Sequence, residues 1–141
     1  MSMKLLDRIQ KGIFIMDGAM GTQIQNFDVP PAAWQGKDGC NELLNLTAPD
    51  IIRQIHAAYF AAGSDAVETN SFGSSPVTLG EYDLSAKSRE ISRAAARIAR
   101  EAADTASTPD RPRFVFGSVG PGTKLPTLGQ IPYGRLRDGL T

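Results

Sequence analysis

Apolar residues in this chain come in short bursts of β-branched and aromatic character, and each burst ends abruptly in polar residues and glycine. The first is Gly12-Ile13-Phe14-Ile15-Met16, which stops at Asp17-Gly18-Ala19-Met20-Gly21-Thr22. The second is Asp65-Ala66-Val67-Glu68-Thr69-Asn70, followed by the turn-like Ser71-Phe72-Gly73-Ser74-Ser75-Pro76. The third is Phe114-Val115-Phe116-Gly117-Ser118-Val119, followed by Gly120-Pro121-Gly122-Thr123-Lys124. Runs of this length bounded by turn residues predict buried strands. Between them the period becomes helical. Ile51, Ile55, Ala58 and Ala62 recur at helical intervals ahead of Gly63, behind Pro49 in a first turn and a capping-box pair, Thr47 and Asp50. Ile91, Ala95, Ile98 and Ala102 write a longer helix from Leu84 to Ala106, with the arginines Arg89, Arg93, Arg97 and Arg100 mostly off that stripe as a solvated face. Arg97 and Glu101 are spaced to pair one turn apart.

The remaining segments are read more coarsely. Lys4 to Gln10 predicts a short helix across the bottom of a sheet, with Leu5, Leu6 and Ile9 on one side. Gln23 to Asn41 holds Pro30, Pro31, Gly36, Gly39 and Trp34 without a sustained period, and is expected to be a long loop serving as lid or wall. Leu125 to Pro132 reads as loop, and Tyr133 to Thr141 as the opening of a further helix that the chain does not complete.

Strands alternating with helices demand a parallel sheet with right-handed crossovers, an α/β fold. The ligand-binding face of such folds is the edge where the strands end. That is where this chain keeps its polar and glycine residues. Asp17 offers a fixed negative charge, and Gly18, Ala19 and Gly21 offer bare backbone N–H groups, with glycine free to adopt positive φ. An amino-acid-like substrate needs both, an anion for its ammonium and donors for its carboxylate. Thr22 is a candidate for the same site or a cap of the next segment. Glu68 and Asn70 open on the same face as pocket lining, or else form an ion-pair or hydrogen-bond layer inside a barrel. The bland alternative for Asp17 is a turn cap, and for the glycines a plain tight turn.

Composition narrows the picture. Of 141 residues 41% are hydrophobic, and fifteen basic residues balance fifteen acidic ones, so nothing marks a nucleic-acid or anionic-membrane partner. The N-terminus lacks a long apolar signal region, which leads to the expectation of a cytoplasmic protein. A single cysteine, Cys40, and a single histidine, His56, cannot complete a tetrahedral zinc site. Cys40 is expected to be structural, and His56 a surface or packing residue. The loop at Gly117 to Lys124 is not a phosphate loop, because its lysine follows the threonine and Pro126 blocks an immediate helix.

Five stretches, in order, resemble the homocysteine S-methyltransferase family, and within it the N-terminal homocysteine-binding module of cobalamin-dependent methionine synthases. They are Asp17 to Thr22, Cys40-Asn41-Glu42-Leu43-Leu44-Asn45, Ile55 to Gly63, Val67 to Gly73 and Gly117 to Pro126. The resemblance implies a (β/α)8 barrel, of which this chain would be the first three βα units, an incomplete barrel with parallel strands. It implies homocysteine as substrate, with Asp17 against its amino-acid end; Gly18, Ala19, Gly21, Thr22, Glu68 and Asn70 stay candidates for the same pocket from the reading of the residues above. It also implies zinc held by three cysteine thiolates on later strands, outside this chain, keeping the substrate sulfur a thiolate. Methylcobalamin, recharged from methyltetrahydrofolate by further modules, would be the donor. No catalytic or metal-binding residue is expected here, and the isolated chain is expected to be inactive. A cobalamin-independent homocysteine methyltransferase is the nearest alternative. A non-catalytic half-barrel that self-associates through exposed strand edges is the other.

Overall fold

The computed structural model describes residues 4–140; Thr141, with which the expected last helix ends, lies outside the described residues. A five-residue helix, α1 (Leu5–Ile9), leads to the first apolar run, and α2 (Met20–Ile24) and α3 (Pro31–Trp34) follow it. A 3-10 turn at Asn41–Leu43 runs into α4 (Leu44–Thr47), then α5 (Pro49–Ala62) and β1 (Ala66–Glu68). After α6 (Pro76–Leu79) come α7 (Ser88–Ala106), β2 (Phe114–Phe116) and α8 (Tyr133–Leu140). β1 and β2 are parallel, with Ala66, Val67 and Glu68 opposite Phe114, Val115 and Phe116. The result is a mixed α/β fold, with α5 and α7 packed on each other and on the two strands.

The first apolar run does not become a strand. It pairs with β1 through an isolated parallel bridge between Met16 and Ala66, the Ala66 N–H donating to the Ile15 carbonyl at 3.3 Å and the Asp17 N–H to the Ala66 carbonyl at 3.1 Å. Side chains take the backbone groups a longer ladder would use. Arg8 Nη2 donates to the Ile13 carbonyl at 2.9 Å, and the Ile15 N–H donates to Asp65 Oδ2 at 2.9 Å. Gly12, at φ 140°, breaks the extended path just before. Among the described residues two strands therefore stand where three were expected, although the run still lies along the edge of β1 away from β2.

The helices show where local signals hold. Gly63 ends α5 at φ 115°, its N–H donating to the Phe60 carbonyl at 3.1 Å. The expected capping box is absent: Ala48 is the cap residue without a side-chain bond, and the Thr47 hydroxyl turns back to the Leu43 carbonyl at 3.2 Å. α7 begins at Ser88, behind a 3-10 turn at Ser85–Lys87. Arg97 and Glu101 do pair, at 3.8 Å. The stretch expected to be a long loop is instead broken into short helices, too short for a period to show. Ile24 and Ala33 bury against Leu44, Ile52, Ile55 and Ile98, with Phe27 and Trp34 packed beside them. Among the described residues no helix is long and apolar enough to cross a membrane.

Candidate functional site

Asp17 directly follows the residue that bridges to β1, and Glu68 is the last residue of β1, so two neighbouring parallel segments present carboxylates at the same end. There an open cavity of about 520 Å³ gathers every sequence-predicted site residue: Asp17, Gly18, Ala19, Gly21, Thr22, Glu68 and Asn70. The Glu68 N–H donates to both Asp17 carboxylate oxygens, at 3.0 and 3.1 Å. Burial pushes the Asp17 carboxyl up to about 6; the Glu68 N–H pulls it back, and the Glu68 charge beside it pushes further up.

The glycines act differently from expectation. Neither Gly18 nor Gly21 has positive φ. A Cβ on Gly18 would lie 3.3 Å from the Tyr59 hydroxyl, and one on Gly21 3.2 Å from Asn41 Nδ2, so a side chain at either position would require its neighbour to give by a few tenths of an ångström. The Tyr59 hydroxyl donates to the Ala19 carbonyl at 3.3 Å, tying the turn to α5. Thr22 is the third residue of α2, whose cap residue is Ala19, so it caps nothing.

Asn70 is a brace as well as a wall. It is 5% exposed, and its Nδ2 donates to the Asn41 carbonyl at 2.9 Å and to Asn45 Oδ1 at 3.2 Å. Asn45 Nδ2 returns a bond to the Asn70 carbonyl at 2.7 Å. The hydrogen-bond layer foreseen as the bland alternative is thus present for Asn70, joining the loop after β1 to α4 and the turn before it.

Sequence reasoning missed other residues of the cavity wall: Met20, Asn41, Glu42, Thr69, Ser71, Phe72 and Ser118. Glu42 Oε1 accepts the Gly73 N–H at 2.7 Å, and a Cβ on Gly73 would sit 2.8 Å from that oxygen. The signal for Glu42 lay in the Cys40 to Asn45 stretch, which carried the resemblance without being assigned to the site.

The chain's own residues do not fit a thiolate metal centre. Among the described residues no group of three or more His, Cys, Asp or Glu stands together to hold a metal ion. Cys40 is 1% exposed among Leu43, Leu79, Leu84 and Ile91, and burial pushes its thiol up, away from the thiolate a metal needs. His56 is packed in α5 with no exposed surface, which settles the surface-or-packing question. Among the described residues neither ring nitrogen has a hydrogen-bond partner, and burial lowers its pKa to about 4.

Known proteins resemble this chain in sequence and in fold. The family model described as homocysteine S-methyltransferase matches residues 14–139. Methionine synthase of Mycobacterium tuberculosis (strain ATCC 25618 / H37Rv) is 50% identical over 137 residues, covering 97% of this chain and 12% of that protein. Methionine synthase of Mycobacterium leprae (strain TN) is 48% identical, with 97% and 11% covered, so the chain spans only a small part of these relatives. Crystal structures of the homocysteine methyltransferase MmuM from Escherichia coli also superimpose. The oxidized form gives a TM-score of 0.63 at 28% identity over 80% of this chain and 39% of that one. The metallated form gives 0.65 at 25% identity over 93% and 42%.

Proposed function

The chain belongs to the homocysteine S-methyltransferase family, and from that premise we propose that its cavity receives the amino-acid end of homocysteine in an enzyme that methylates the homocysteine sulfur to give methionine. Asp17 and Glu68 take the ammonium, and the bare backbone of Gly18, Ala19 and Gly21 takes the carboxylate. Thr22 and Asn70 shape the wall. The observation that carries this reading is the convergence of two carboxylates, 51 residues apart in sequence, on one cavity beside a glycine turn.

The placement as the first part of a (β/α)8 barrel is supported by superposition on less than half of a homocysteine methyltransferase. Methylcobalamin is the donor this reading prefers, since identity to methionine synthases is 48–50% against 25–28% for the methyltransferase MmuM. Folate chemistry would belong to modules beyond this chain. Zinc held by thiolates would keep the substrate sulfur ionised. The donors here do not fit it, so this chain is assigned recognition of the substrate and not activation of its sulfur.

Titration of the 15N-labelled chain with millimolar L-homocysteine tests the reading. The amides of Asp17, Gly18, Gly21 and Glu68 shift together, and Asp17→Asn weakens binding at least tenfold. Shifts scattered away from the cavity, or none, would overturn it.

A further inference from the structure

We infer that Ser118 is a positioning residue for Glu68, holding one carboxylate oxygen so that the other faces the ammonium of the substrate. The inference rests on the amino-acid reading of the cavity. Three hydroxyls, those of Thr69, Ser71 and Ser118, lie together beyond the ends of β1 and β2.

Ser71 Oγ donates its single proton to the Ser118 carbonyl at 2.8 Å. In the 2.7 Å contact between Thr69 Oγ1 and Ser71 Oγ, the donor is therefore Thr69. Thr69 Oγ1 in turn accepts the Ser118 N–H at 3.0 Å, and the Thr69 N–H donates to the Phe116 carbonyl at 2.9 Å. The Ser118 backbone is thus held on both sides by the loop that follows β1. One proton in this group is left, on Ser118 Oγ, and it goes to Glu68 Oε2 at 3.0 Å.

Glu68 is exposed, and a free glutamate there would sample many rotamers at a cost in ordering when it binds. A hydroxyl carried on a backbone that is held through both its N–H and its carbonyl removes part of that freedom in advance. It also selects a role for each oxygen: Oε2 accepts from Ser118, and Oε1 accepts from no protein donor among the described residues. The Glu68 N–H is engaged by Asp17, so the carboxylate and amide of one residue are set by two different segments.

The test uses the 141-residue chain with Ser118→Ala, Ser118→Thr, Glu68→Ala and the Ser118→Ala/Glu68→Ala pair, with amide spectra confirming the fold of each. Three-bond couplings of the Glu68 side chain report one dominant rotamer in the unaltered chain, averaged values in Ser118→Ala and recovery in Ser118→Thr. Homocysteine affinity falls roughly five- to tenfold in Ser118→Ala and recovers in Ser118→Thr. In the Glu68→Ala background, Ser118→Ala costs nothing further, because Ser118 acts through Glu68. Unchanged couplings in Ser118→Ala, or an equal loss of affinity with and without Glu68, would overturn the inference. If the unaltered chain binds no homocysteine, the substrate reading fails, and the couplings alone decide for or against positioning.

Discussion

Burial acts on an acid at the strand ends and on a base in the helical layer, with opposite consequences. Asp17 sits at the cavity with its carboxyl pushed up to about 6, and both its oxygens accept a backbone N–H. His56 sits inside α5 with its imidazole pushed down to about 4, and neither nitrogen has a partner among the described residues. The acid is half-buried, bonded and open to a ligand; the base is sealed and serves as bulk in the core. A perturbed group signals function when it also lines a cavity with polar company, and packing when it does not.

At the opposite end of β1 another acid is buried, and this one is met by a cation and a backbone N–H. Asp65 is 1% exposed, receives Arg8 Nη2 at 2.7 Å and the Ile15 N–H at 2.9 Å, and so pins α1 and the first apolar run. Asp65→Ala leaves Arg8 and Ile15 without that acceptor and is expected to lower unfolding free energy by about 3–5 kcal/mol in urea titration. A loss under 1 kcal/mol would show that the pair holds nothing.

The next effect is one of pH. His56 has its pKa below the ordinary 6.5 when folded, so its share of stability is complete above that value and is lost as pH falls toward about 4. The loss amounts to about 3 kcal/mol across the window. Asp17 runs the other way. Its folded pKa lies above 3.8, so ionising it costs stability as pH rises from about 4 to about 6, by about 1–2 kcal/mol after allowance for its partial exposure. The two slopes oppose each other. His56→Leu should abolish the acid loss and leave a chain that grows more stable from pH 6.5 to 4, whereas retention of the unaltered profile would break the comparison.

Asp17→Asn should do the converse. The amide still accepts the Glu68 N–H, so stability at pH 7 rises by about 1–2 kcal/mol in thermal unfolding while homocysteine binding weakens. A variant that lost both would place Asp17 with the packing residues. The smallest effect concerns assembly. Ile13 and Val119 are 84% and 74% exposed. Sedimentation velocity is expected to show weak, concentration-dependent self-association, and a dispersed monomer at all concentrations would remove the exposed-edge argument.

The parts of the fold legible in the sequence were those whose bonds are local or whose period is long. α5 and α7 each run for several turns, so their apolar stripes and the Gly63 stop were visible. The first apolar run was misleading because Arg8 and Asp65, side chains distant in sequence from one another, occupy its backbone groups. No pattern of apolar residues encodes that competition. The site was legible by type, since carboxylates and glycines at strand ends do meet. Individual roles were not: Gly18 and Gly21 have no positive φ and lie close to the Tyr59 and Asn41 side chains, and Asn70 is held by partners from the α4 region.

Asp17 clasps the Glu68 amide with both oxygens, so a side chain, and not a backbone ladder, laces the first apolar run to the tip of β1. A ligand cation that draws on either oxygen competes directly with that lacing. Occupancy is thereby converted into slack between two segments, and the exchange rate of a single amide hydrogen, that of Glu68, becomes a built-in gauge of whether the cavity is filled.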